Sequence, residues 1–213
     1  MKLYEALPQH WRDALGDEAL ILNDIKVPDG FIPEFSRIFR AFELPISELK
    51  ICILGQDPYP KPEDATGLAF SVNADRSKLP PTLRNIFKEL ETDCGIENVV
   101  GDLSPWHKQG VFLLNRVLTT KNGFSNSHKD LGWQKFTESV IRHLARKKIV
   151  FILWGGHAQK KGARIDKRKH LVLEGPHPSP LSSYRGFFGC DHFKKANSYL
   201  KNNKKEEIDW IID

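Results

Sequence analysis

Three polar side chains stand where apolar runs of this chain give out. Asp57 follows the run that closes at Leu54 and precedes Pro58; a carboxylate held in a loop can stabilise a developing cation or take a proton. A lone Asp in such a place serves as well as an Asx-turn or helix cap, but Gln56, Pro58, Tyr59 and Pro60 around it make a stiff loop that presents several polar groups together. His177 lies in Pro-His-Pro-Ser-Pro (176–180) at the end of another apolar run. Its flanking prolines hold φ at about −65° and leave little conformational freedom around an imidazole. Asn115 sits inside Val-Phe-Leu-Leu-Asn-Arg-Val-Leu from Val111. A buried amide must satisfy its hydrogen bonds, either by bridging the structure or by reading the edge of something planar.

Other chemistries have no counterpart in the chain. It lacks G-x-x-x-x-G-K-[ST], G-x-G-x-x-G and G-x-S-x-G, which argues against a phosphate-loop NTPase, a dinucleotide enzyme and a serine hydrolase. Eight His give no H-E-x-x-H or H-x-x-x-H, and Cys52, Cys94 and Cys190 form no C-x-x-C pair, so neither a metal site nor a disulfide is expected. Thirty-two Lys and Arg against 27 Asp and Glu leave a net charge of +5, a mild excess that suits a polyanionic partner without requiring one. The crowded bases Lys160, Lys161, Arg164, Lys167, Arg168 and Lys169, with Asp166 among them, read first as a solvated surface, some of it lying toward such a partner. No apolar run reaches the ~18 residues of a membrane span, and His10, Arg12 and Asp13 interrupt the N-terminal segment. An intracellular chain without a signal peptide is expected, cytoplasmic if bacterial, with nuclear and viral compartments left open.

Four apolar runs must position these residues: one ending at Leu54, and those from Val111, Ile149 and His170. Short runs that are apolar on both faces are how buried parallel strands read. Helical periodicity is expected over Leu3–Leu15, Pro33–Phe42, from Pro81, from Gly132 and near Cys190. Strand and helix alternate, which predicts a three-layer α/β/α domain spanning residues 1–213 around a central, mostly parallel four-stranded sheet. Ligands of such sheets bind beyond the carboxyl ends of the strands. The segments after the four runs, carrying Asp57, Asn115, Gly155-Gly156 and His177, should therefore converge on one crevice.

Six segments, GQDPYP (55–60), GLAFSV (67–72), GVFLLNRVLT (110–119), LGWQKFT (131–137), LWGGHAQKKG (153–162) and HPSPLSSYRGFFGCDHF (177–193), together resemble the family 1 uracil-DNA glycosylases. The resemblance runs in order and spacing from about Leu54 to the C-terminal Ile-Asp-Trp. It implies a uracil-DNA glycosylase-like fold and a monofunctional hydrolase that flips uracil out of single- or double-stranded DNA, cleaves its N-glycosidic bond and leaves an abasic site. No metal and no cofactor enter that scheme, a monomer without membrane contact is implied, and a DNA-mimicking protein inhibitor is a conceivable partner.

By the same resemblance, Asp57 stabilises the sugar cation and positions water, while His177 supports the departing uracil anion. Gln56, Tyr59, Phe70 and Asn115 form the uracil pocket, with Phe70 stacking, Asn115 pairing to the base edge and Tyr59 excluding the thymine methyl. Pro80, Pro81 and Thr82, the pair Gly155-Gly156, and Ser179 meet phosphates. Leu181 wedges into the duplex, and Tyr184 and Arg185 help to hold it. The chain departs from the family's pattern at Pro60, usually His, at Gly156, usually Ser, and at Arg116, usually Thr. Two rival readings remain at this stage: a DNA-binding accessory protein on the same fold, as in poxviral processivity subunits, and a glycosylase with another base choice.

Overall fold

The computed structural model describes residues 2–162 and 165–213. In chain order its elements are α1 (Leu3–Ala6), α2 (Gln9–Leu15), β1 (Phe31–Ile32), β2 (Ile51–Gly55), α3 (Pro81–Cys94), α4 (Ser104–Lys108), β3 (Val111–Asn115), β4 (Thr120–Lys121), α5 (Trp133–Leu144), β5 (Val150–Trp154), α6 (Gly156–Gly162), β6 (Leu171–Gly175) and α7 (His192–Asn202). All four apolar runs are strands of one parallel sheet, ordered β3-β2-β5-β6. The pair β1 and β4 forms a separate antiparallel ribbon.

Alternation along the strands separates two faces. Phe112, Cys52 and Phe151 are in register, and Phe112 meets Trp11 of α2 and Phe42, which in turn meets Phe136 of α5. Trp154, of the opposite parity, meets Phe187 and Phe193 of α7. Helices α2 and α5 therefore cover one face, and α7, packed on α3, covers the other. One buried cluster runs from Leu3 to Ile212 and fills both layers.

Expectation and structure part at the N-terminal layer. The helix expected over Leu3–Leu15 is two helices, because Pro8 has no N–H to donate and Leu7 before it is extended. The segment expected as a helix over Pro33–Phe42 is instead a pair of 3₁₀ turns, Phe35–Arg37 and Arg40–Glu43. Tertiary contacts override its periodicity: the Arg37 carbonyl packs on Gly67, where an added Cβ would lie 2.0 Å from it. Arg40 reaches the Thr66 carbonyl and the Ser104 hydroxyl. The three cysteines are free thiols.

Register places the strand ends on one edge of the sheet: Gly55 opposes Asn115, and Trp154 opposes Gly175. From β2 the chain crosses to β3 on one side and then to β5 on the other. The crevice above β2 and β5 is thus a topological switch point, the place where such sheets take their ligands.

Candidate active site

The floor of the crevice is a fitted pair. A Cβ on Gly55 would lie 2.3 Å from Oδ1 of Asn115 and 2.8 Å from the Ala69 side chain, so only glycine lets the amide stand at the strand end. Directly after Asn115 the chain turns under the loop that follows β2, with N–H of Arg116 donating to Gly55 and that of Val117 to Gln56. The Asn115 side chain is buried yet makes no hydrogen bond among the described residues, which leaves its carbonyl and amide free for a ligand.

A cavity of about 220 Å³ opens above it, lined among others by Gln56, Asp57, Tyr59, Phe70, Thr82, Asn115, His177 and Ser179. That is below the roughly 300–1,000 Å³ of pockets for drug-sized ligands and suits one small ring. Phe70 has φ +66°, a left-handed conformation unusual for an aromatic residue. Its carbonyl accepts from the Tyr59 hydroxyl at 3.2 Å, and its ring centre lies 6.1 Å from that of His177. Burial, then the nearby Asp64 carboxylate, push the Tyr59 hydroxyl well above its ordinary range, so it remains a neutral donor. Asp64, also in the cavity wall, is paired to Arg76 through two contacts of 2.5 and 3.1 Å.

Asp57 sits on the loop after β2. Burial raises its pKa, opposed by the N–H of Asn126, the Ser125 hydroxyl at 2.9 Å and Gln56. His177 accepts the Ser179 N–H on Nδ1 at 3.0 Å. A backbone N–H can only donate, so the proton of the neutral ring is on Nε2. Burial lowers the pKa of His177, and the Ser179 bond acts in the same direction because it requires a bare Nδ1.

A trough of about 550 Å³ continues past Gln56, Arg116, Gly155, Gly156 and His157 to Leu181. Here Gly155 serves the site otherwise than as an anion-facing amide: its N–H donates to the Gly175 carbonyl, and a Cβ would crowd His177 at 3.0 Å. Gly156 opens α6 with nothing within 4 Å of its Cβ position. The Arg116 guanidinium is half-buried against Gln134. Leu181 is 83% exposed, and Arg185 stacks on the exposed Tyr184 ring. Pro80 and Pro81 begin α3 beside Thr82.

All the residues expected after the four strands therefore meet in one place. Among the described residues of the basic stretch none lines the cavity or the trough; Lys161 pairs with Glu138, Lys167 with Glu174 and Arg168 with Asp166, while Arg164 lies outside the described residues. Sequence reasoning missed Ser125 and Asn126, which hold Asp57 from 68 and 69 positions away, and Asn85 of α3, described below. Among the described residues, no three His, Cys, Asp or Glu side chains converge as metal ligands would.

The fold and this pocket define a class of α/β proteins with one small, polar-floored cavity beyond the carboxyl ends of a parallel sheet. A profile of the uracil DNA glycosylase superfamily matches residues 42–201. A uracil-DNA glycosylase of Neisseria gonorrhoeae is 50% identical over 217 residues, covering 95% of this chain and 99% of its own. The crystal structure of mimivirus uracil-DNA glycosylase superposes with a TM-score of 0.88 at 28% identity, over 100% of this chain and 90% of that one. A variant of that viral enzyme in complex with UGI gives 0.84 at 28% identity, over 100% and 92%. The chain belongs to the uracil DNA glycosylase superfamily.

Proposed function

We infer that this protein hydrolyses the bond between uracil and deoxyribose in DNA, releasing the base and leaving an abasic site, as in base excision repair. The observation that carries the reading is the single small cavity in which an unbonded amide, a carboxylate and an imidazole protonated on Nε2 stand together.

Asn115 reads the base. Its N–H donates to uracil O4 and its Oδ1 accepts from N3–H; cytosine presents the reverse pattern and leaves both groups unpaired, which makes discrimination steep. Phe70 stacks on the ring. Tyr59, tethered to the Phe70 carbonyl, fills the space a 5-methyl group would need, so thymine is excluded by shape.

Bond breaking starts as the N1–C1′ electron pair leaves with uracil, generating an anion on the base and an oxocarbenium-like sugar. Nε2–H of His177 donates to O2 as charge accumulates there. Asp57 faces the cation and orients a water, whose oxygen forms the new bond to C1′ while its proton passes to the carboxylate and on to solvent.

The nucleotide must first leave the stack at a cost of a few kcal/mol. Leu181, fully displayed at the rim, fills the vacated space. Thr82, Ser179 and the Gly156 N–H border the phosphates, with Pro80 and Pro81 shaping the approach. A protein inhibitor of the kind held by the viral relative would compete for the same rim.

Incubation of the purified protein with a uracil-bearing oligonucleotide in EDTA, followed by alkali, tests the reading. Cleavage at the uracil position is expected for single and double strands. An intact strand that nonetheless binds the protein would instead support a DNA-binding accessory role.

A further inference from the structure

We propose that Asn85 is a positioning residue for the reaction, acting on His177 through the one peptide unit that joins Pro178 to Ser179. The proposal rests on the reading of His177 as the group that supports the departing base.

Asn85 lies on α3, one helical turn after Thr82 at the cavity wall. Its Nδ2 donates to the Pro178 carbonyl at 2.7 Å and to the Ser183 hydroxyl at 3.2 Å. The amide orientation is forced, since a carbonyl oxygen can only accept. That carbonyl belongs to the same planar unit as the Ser179 N–H, which donates to Nδ1 of His177 at 3.0 Å. Rotating this plane about its chain axis moves both atoms together. A donor fixed on the oxygen therefore fixes the N–H, and it also polarises the N–H toward a stronger bond.

Within the loop, the Ser182 hydroxyl restrains the preceding carbonyl, that of His177, at 2.8 Å. From outside the loop, Asn85 alone among the described residues reaches the Pro178–Ser179 unit with a side chain. Further along the same face of α3, Glu89 accepts from the N–H groups of Gly189 and Asp191, and Asp93 from those of Phe193 and Lys194. Spaced four apart, these three side chains hold the segment from the imidazole to the start of α7. Glu89 and Asp93 secure its distal end, and Asn85 secures the end that does chemistry.

The test uses the full chain with ¹⁵N-labelled imidazoles, recording His177 tautomer and Nδ1 shift alongside excision rates on saturating single-stranded substrate. In Asn85→Leu, Nδ1 should move toward the value of an unbonded acceptor and an Nδ1–H tautomer should appear. Its kcat should fall about tenfold, less than the roughly hundredfold that a 1 Å misplacement of a catalytic group can cost, with KM within about threefold. Asn85→Asp, of the same shape, should do at least as much by setting a carboxylate against the Pro178 carbonyl, and it carries the test alone if the leucine variant does not fold. Ser183→Ala, which removes only the second partner, should leave spectrum and rate unchanged.

The decisive comparison is in a His177→Ala background, where the Asn85 substitutions should cost nothing further. An unchanged His177 spectrum, or a rate loss that survives intact without the imidazole, overturns the proposal. If His177→Ala itself leaves the rate unchanged, the reading of His177 fails, while the spectra still decide whether Asn85 sets the ring.

Discussion

The His177–Ser179 edge of the base pocket and the rim of Leu181, Tyr184 and Arg185 are only a few residues apart in sequence, yet pocket and rim are built in opposite ways. In the pocket three side chains are anchored before any ligand arrives, Asp57 by Ser125 and Asn126, His177 by Ser179 and Tyr59 by Phe70, while the Asn115 amide and Nε2 of His177 stay open. At the rim Leu181 and Tyr184 extend into solvent, with Arg185 for company. The pocket has its orientation settled during folding, so reorganisation during bond breaking is small. On the proposed function, the rim acquires its energy only on contact with DNA. Substitutions in the first region should therefore act on the chemical step whatever the strand, and those in the second on access to the base.

The largest effects test the pocket. Asp57→Asn and His177→Ala should each lower the single-turnover rate roughly a hundredfold or more, on single and double strands alike; rates within threefold of the parent would remove these residues from the chemistry. Next is Asn115→Asp. Its carboxyl can accept from the cytosine amine and, when protonated, donate to N3, so uracil release should drop sharply while some cytosine release appears. Retained uracil activity would make Asn115 a structural residue.

Leu181→Ala addresses the rim. It should slow excision from duplex by about tenfold and leave single strands untouched, because only the duplex demands unstacking. Equal losses on both would erase the distinction between the two regions. The smallest effect is expected at Ser125→Ala. Burial already raises the Asp57 pKa, and the Ser125 hydroxyl works against that rise. Its removal lifts the pKa further, so the acid limb of kcat/KM should move to higher pH, by about half a unit to one unit for one hydrogen bond. A limb that stays put, or moves to lower pH, would separate Ser125 from the ionisation of Asp57.

The sheet was legible in the sequence because strands buried on both faces must be continuously apolar, and Asp57, Asn115 and His177 were legible as the polar residues that end such runs. The segment at Pro33–Phe42 was not, since its helical spacing arises from burying Ile38, Phe39, Ala41 and Phe42 in tight turns fixed by Gly67 and Arg40. The supports of the site were not legible either. Asn85 lies on an otherwise ordinary amphipathic helix, and Ser125 in a polar turn after β4; what distinguishes each is a partner 93 or 68 residues away. Local pattern reports which groups line the cavity far better than which groups hold them.

The contact between Gly55 and Asn115 bears on how readily this pocket could be redesigned. No side chain can be introduced at position 55 without driving into the Asn115 amide, the group proposed to read the base, or the Ala69 methyl. The floor is thus closed to gradual remodelling, in which one small substitution prepares the ground for the next. A lineage selected to accept a bulkier base would have to change along the Tyr59 edge, where the wall is one tethered ring. Its hydrogen-bonding face would stay as it is, which confines the accessible variants to bases that still present the edge of uracil.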